Sequence, residues 1–153
     1  MKDQKIVPFL WYDNNAAEAA KLYTSIFKNS KVLSNMDAPE NNNGVTFELE
    51  GVTYTAFNGG PHFKFNESVS LMVHCDTQEE VDYYWNALTA NGGQESQCGW
   101  LKDKFGMSWQ ITPNMLMKGI SDPNRAKANA VFQAMMKMKK LNIAELQAAY
   151  DNA

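Results

Sequence analysis

Two stretches of this chain follow one plan, and that duplication constrains the fold more than any other feature of the sequence. Ile6 to Tyr12 is an apolar, aromatic run closed by Asp13-Asn14-Asn15, the pattern of a strand. Asn15 then opens a helix, with Glu18 in the place of a capping-box partner. Ala16, Ala19, Ala20, Tyr23 and Phe27 recur at helical spacing, and Asn29-Ser30 stops the run. Val69 to Cys75 is a second apolar strand, followed by the capping box Thr77 and Glu80. Val81, Tyr84, Trp85 and Leu88 form the face of its helix, which Asn91-Gly92-Gly93 ends. A shift of 62 positions carries Asn15 to Thr77, Glu18 to Glu80 and Tyr23 to Trp85. Each unit continues into a hairpin: Val45–Leu49 and Val52–Asn58 around Glu50-Gly51, then Trp100–Lys102 and Met107–Thr112 around Phe105-Gly106. Aligning Gly51 with Gly106 pairs Tyr54 with Trp109 and Thr55 with Gln110. A strand, a helix and a hairpin occurring twice read as a tandem repeat.

The repeat stops near Pro113, where the pattern turns helical. Pro123 opens a helix with Ala128, Val131, Phe132, Met135 and Met138 on one face, and Asn142 caps a last helix carrying Ile143, Leu146 and Tyr150. We therefore expect one domain of paired modules over residues 1–113 (modules at about 4–60 and 67–113) and a helical extension over 114–153. Asp37 to Gly44, with three consecutive asparagines, reads as an exposed loop. A chain of 153 residues buries roughly 69% of its unfolded surface, enough for a core. With 44% apolar and 20% charged residues, disordered, collagenous and disulfide-scaffold classes are excluded. The formal net charge of −3 gives no basic face for nucleic acid. Lys137, Lys139 and Lys140 fall at a helix end, where cations complement the dipole. No apolar run approaches the roughly 18 residues of a membrane span, and residues 1–5 lack a signal-peptide stretch. Cys75 and Cys98 make no CxxC and read as reduced thiols, so a cytoplasmic location is expected.

Three stretches carry a family resemblance: Pro8-Phe9-Leu10-Trp11-Tyr12-Asp13-Asn14, Phe57-Asn58-Gly59-Gly60-Pro61-His62-Phe63-Lys64-Phe65, and Cys98-Gly99-Trp100-Leu101-Lys102-Asp103-Lys104-Phe105-Gly106-Met107-Ser108-Trp109-Gln110. With the repeat, they resemble the vicinal oxygen chelate superfamily of glyoxalases, dioxygenases and resistance proteins. The nearest likeness is its PhnB-like branch, often labelled 3-demethylubiquinone-9 3-methyltransferase-like. The resemblance covers about residues 4 to 140. It implies an α+β fold in which tandem βαβββ modules form an open barrel-like curved sheet with outer helices, around a cavity. It also implies a homodimer.

Strand alternation assigns residues to the cavity or to the helices. Val69, Leu71 and Val73 suit packing under a helix, which turns Ser70, Met72 and His74 to the cavity. By the repeat, Pro8, Leu10 and Tyr12 turn inward from the first strand, Thr53, Thr55 and Phe57 from the first hairpin, and Ser108, Gln110 and Thr112 from the second. Phe9, Trp11, Tyr54 and Trp109 then fall on the helix side. His62 and Trp100 belong at the cavity mouth. In metal-dependent relatives, four cavity-facing positions supply His and carboxylate ligands. Their counterparts are Pro8, Thr55, Ser70 and Gln110, which offer no imidazole or carboxylate, so no metal and no other cofactor is expected. The glycine doublets Gly59-Gly60 and Gly92-Gly93 do not form the glycine-rich strand-to-helix turn of common S-adenosylmethionine enzymes. Cys98 reads as an inert thiol, and Lys102-Asp103 as a solvated charge pair in a turn.

Three functions stay open. The first is binding of a small, partly apolar molecule in a metal-free cavity lined by Leu10, Tyr12, Thr55, Phe57, Ser70, Met72, His74, Ser108 and Gln110. The second is metal-independent catalysis with His74 or Tyr12 as acid/base. The third is an interaction protein whose C-terminal helices dock on a partner. The stripe Phe132, Met135 and Met138 adds a candidate surface for a homodimer.

Overall fold

The computed structural model describes residues 4–35 and 43–153. The loop expected from Asp37 lies outside these up to Asn42, and Gly44 already begins a strand. The chain divides into two compact units, Met1–Phe65 and Asn66–Ala153. In the first, the order is β1 (Phe9–Tyr12), α1 (Ala16–Ile26), β2 (Lys31–Asn35), β3 (Gly44–Leu49) and β4 (Val52–Asn58). The sheet runs β1-β4-β3-β2, with β1 parallel to β4 and the other pairs antiparallel. Ala16, Ala19 and Ala20 bring α1 close to β3 and β4, burying Tyr23, Phe47 and Ala56 completely. The second unit repeats this plan with β5 (Ser70–Cys75), α2 (Gln78–Thr89), β6 (Gln94–Glu95), β7 (Trp100–Lys102) and β8 (Ser108–Pro113), ordered β5-β8-β7-β6. There α2 buries Val81, Trp85 and Leu88 over a sheet face carrying Leu101, Trp109 and Ile111.

The second unit continues into α3 (Asn114–Ile120), α4 (Arg125–Met135) and α5 (Ile143–Asp151). These pack around Leu116, Val131, Leu141 and Leu146. The expected stripe divides here: Met135 and Met138 pack on that cluster, while Phe132 is 43% exposed. No helix among the described residues is long and apolar enough to cross a membrane. The edge strands β2 and β6 complete the sheets and had no clear signature of their own. Both hold their places through backbone pairing, and β6 is only the exposed pair Gln94-Glu95.

Helix starts differ between the copies. In α2, the Thr77 side chain accepts from the Glu80 amide (3.2 Å), and the Glu80 carboxylate accepts from the Asp76 amide (2.7 Å). In α1, Asn15 makes no side-chain cap; Asn58 of β4 supplies it, its Oδ1 accepting from the Ala16 amide at 2.8 Å. The second hairpin corrects the reading of Lys102-Asp103. Asp103 is 2% exposed. Its carboxylate accepts from the amides of Phe105 (2.9 Å) and Met107 (3.1 Å) and from the Trp109 indole (2.9 Å). Lys102 instead pairs with Glu67 at 2.6 Å. A turn that must satisfy several amides under a buried indole selects a carboxylate.

Candidate functional site

In the second unit, β5 and β8 lie parallel with Ser70 opposite Ser108, Met72 opposite Gln110 and His74 opposite Thr112. Cys75, Trp109 and Ile111 are buried on the helix side, so alternation gathers those six residues on the other face. Met72 and His74 are exposed there. The Gln110 amide donates to the Ser70 hydroxyl at 2.8 Å, and the buried Ser108 hydroxyl donates to the Asn66 carbonyl at 3.4 Å. Trp100 of β7 stands opposite Gln110, and Lys102 opposite Ser108, so both join this face. Trp100, Lys102 and Ser108, with Glu67, Glu95 and Ser96, line a cleft of about 270 Å³. The Glu67–Lys102 pair lies along it and holds the Glu67 carboxyl below its usual range, chiefly through the lysine's hydrogen bond. The Glu95 carboxylate accepts from the Trp85 indole at 2.8 Å. On the opposite side of the sheet, burial pushes the Cys75 thiol up to about 12, with Glu80 and Asp76 adding to the effect.

The first unit requires a correction. Leu10 and Tyr12 do not reach the open face: they are 6% and 2% exposed, and the Tyr12 hydroxyl lies 3.0 Å from that of Tyr23 on α1. Phe9 and Trp11 take the open face instead, paired in register with Thr55 and Phe57. The cause is one residue. Tyr12 and Cys75 both point at their helices, yet three positions separate Tyr12 from the cap position Asn15 and two separate Cys75 from Thr77. Aligning the helices therefore sets the first strand one residue out of step, and a one-residue slip turns every side chain to the other face. Tyr12 is accordingly withdrawn as an acid/base candidate. The unequal connections are visible in the sequence and could have placed Phe9 and Trp11.

On this face Phe57 lies 5.5 Å from Phe9 and 5.2 Å from Trp11, and Trp11 meets Phe63 edge-on at 5.0 Å (ring centroids). The Trp11 indole donates to the Gly60 carbonyl at 2.9 Å. Gly59 packs so closely that a Cβ there would fall 2.1 Å from the indole ring. Phe9 and Phe63 remain 60% and 66% exposed, and His62 is exposed in the same loop.

The ligand positions of metal-dependent relatives can now be tested. With the corrected step, the first-strand counterpart of Ser70 is Val7, so the four counterparts are Val7 and Thr55 in the first unit and Ser70 and Gln110 in the second. An alkyl group, two hydroxyls and an amide, two of these already bonded to each other, do not fit a divalent ion. Among the described residues, no three of His, Cys, Asp and Glu come together as a metal centre.

The profile of the family described as 3-demethylubiquinone-9 3-methyltransferase matches residues 4–112. A PhnB protein from Bacillus cereus is 32% identical, with 72% of this chain and 99% of that one covered and a TM-score of 0.66. A Pseudomonas aeruginosa protein is 19% identical over 72% of this chain and 98% of its own, with a TM-score of 0.57. The fosfomycin resistance protein of Listeria monocytogenes is 14% identical over 71% and 89%, with a TM-score of 0.50. The last two share the fold alone. No curated protein matches the chain.

Proposed function

The chain belongs to the 3-demethylubiquinone-9 3-methyltransferase family, within the vicinal oxygen chelate superfamily, and from that premise we propose that it binds a small, partly apolar molecule without a metal. The observation that carries this reading is the cleft of about 270 Å³ on the open face of the second sheet, where the Trp100 ring meets the Ser108 and Ser96 hydroxyls and the Glu67–Lys102 pair. One aromatic wall and a few fixed polar groups suit a ligand of modest size that has one apolar side. The methyl transfer named in the family's description draws no support from the residues. The strand-to-helix connections, Asp13-Asn14-Asn15 and Asp76-Thr77, hold no glycine to admit S-adenosylmethionine. The Ser70–Gln110 pair likewise leaves no ligand set for metal chemistry.

The test is a thermal-shift screen of the full chain against small metabolites, with and without chelator, followed by calorimetry on the strongest hit. Chelator leaves the shift unchanged, and Trp100→Ala weakens the hit about tenfold or more, as loss of a buried aromatic contact does. A hit insensitive to Trp100→Ala but lost in Phe57→Ala moves the ligand to the first sheet and overturns the cleft assignment. A hit that needs metal overturns the reading.

A second reading, metal-independent acid/base catalysis, has one observation behind it: His74 stands exposed on the same open face, opposite Thr112. His74→Ala abolishes turnover of any substrate found if that reading holds, and leaves it unchanged if it does not. Homodimerisation belongs to the proposal too. Exposed Ile6, Phe9 and Phe63 on the first unit support a second copy covering them. Sedimentation at a monomeric mass would remove that part.

A further inference from the structure

The helices beyond the family profile build a second cleft. The profile ends at residue 112, and the Bacillus cereus protein is covered to 99% of its length while matching 72% of this chain. A cleft of about 420 Å³ is formed by α3, α5 and the turn after β5, and it opens on Asp76, Asn114, Met115, Lys118, Asp122 and Tyr150. Its charges are arranged. The Asn114 amide donates to Asp76 Oδ1 at 2.6 Å, which fixes that carboxylate at the first residue of α3. Asp76 Oδ2 is left without a partner among the described residues. Lys118, four positions after Asn114, lies on the same side of α3, about 6 Å along the axis, and also has no partner among the described residues.

The other acidic group is already engaged. Asp122 accepts from the Tyr150 hydroxyl at 2.7 Å and from the Asn124 amide at 2.7 Å, and Lys127 lies over the Tyr150 ring at 4.3 Å. Those contacts fix the Tyr150 ring as a wall beside Met115. A free carboxylate oxygen and a free ammonium one helical turn apart, beside an apolar wall, match a small zwitterion.

We propose that this cleft binds a free α-amino acid, its ammonium on Asp76 and its carboxylate on Lys118, with Met115 and Tyr150 against the side chain. The site shares no lining residue with the cleft at Trp100. The experiment is calorimetry of the full chain with each standard L-amino acid, then with the N-acetyl and carboxamide forms of the tightest binder. At least one amino acid binds, and each blocked form binds about tenfold more weakly or worse. Asp76→Asn and Lys118→Gln each cause a similar loss while the unliganded melting temperature holds, since both side chains sit at the surface. Trp100→Ala leaves this binding unchanged. No binding by any amino acid, equal binding by blocked forms, equal binding by both variants, or loss in Trp100→Ala would overturn the proposal.

Discussion

A single carboxylate organises the second hairpin. Asp103 is buried and accepts from two amides and an indole, and no other side chain in the turn could satisfy all three. Asp103→Ala leaves these donors buried without partners, at a cost of about 3 kcal/mol. The melting temperature should fall by roughly 6–12 °C. Calorimetry checks this, and a change inside the scatter of neutral surface substitutions would mean that the turn is held by its backbone alone. The composition of the turn gave no hint of it. Lys102-Asp103 in isolation is an ordinary exposed pair, and only the fold brings Trp109 over the carboxylate while Glu67 draws the lysine aside.

At the scale of elements, the repeat was legible because each copy carries its own periodicity. Both helices, both hairpins and the caps Thr77 and Asn142 stand where residue spacing placed them, whereas Pro123 does not open α4: the helix starts at Arg125, capped by the Asn124 side chain. The open face of the second sheet was legible for the same reason, since Leu71 and Val73 alternate with Ser70, Met72 and His74; Val69, expected under the helix, instead precedes β5 and is 62% exposed. In the first strand every residue from Phe9 to Tyr12 is apolar or aromatic, so alternation could not choose a face, and the choice rested on a connection one residue longer. The cap of α1 was hidden too, because the side chain that accepts from its first amide lies 42 positions away. That cap makes a pair of variants informative. Asn58→Ala should cost about 1 kcal/mol, as loss of a helix cap does. Asn15→Ala, which removes no cap, should stay within about 0.5 kcal/mol. Denaturant titration of both checks the order, and a larger effect at Asn15 would refute it.

For the molecule as a whole, the helices after Pro113 are bound into the second unit. The Cys98 and Gly99 amides donate to the carbonyls of Met138 and Lys139 at 2.8 Å each, and Leu141 packs so closely on Gly99 that a Cβ there would clash. Cutting the chain after Asp122 removes Val131, Leu141 and Leu146, each wholly or almost wholly buried. At about 1.5–3 kcal/mol apiece, the loss is comparable to the whole stability of a typical domain. The truncated chain should therefore lose cooperative melting of its second unit, although the Bacillus cereus relative is covered to 99% of its length by only 72% of this chain. Retention of a sharp transition would show the extension to be dispensable. The borrowed cap in the first unit has a consequence in time as well. With its Thr77 cap three residues from the amide it serves, α2 can begin to form as soon as its own first turn closes. The first turn of α1 must wait for Asn58, so the two copies of one plan are set to assemble by different routes: helix early in the second, hairpin before helix in the first.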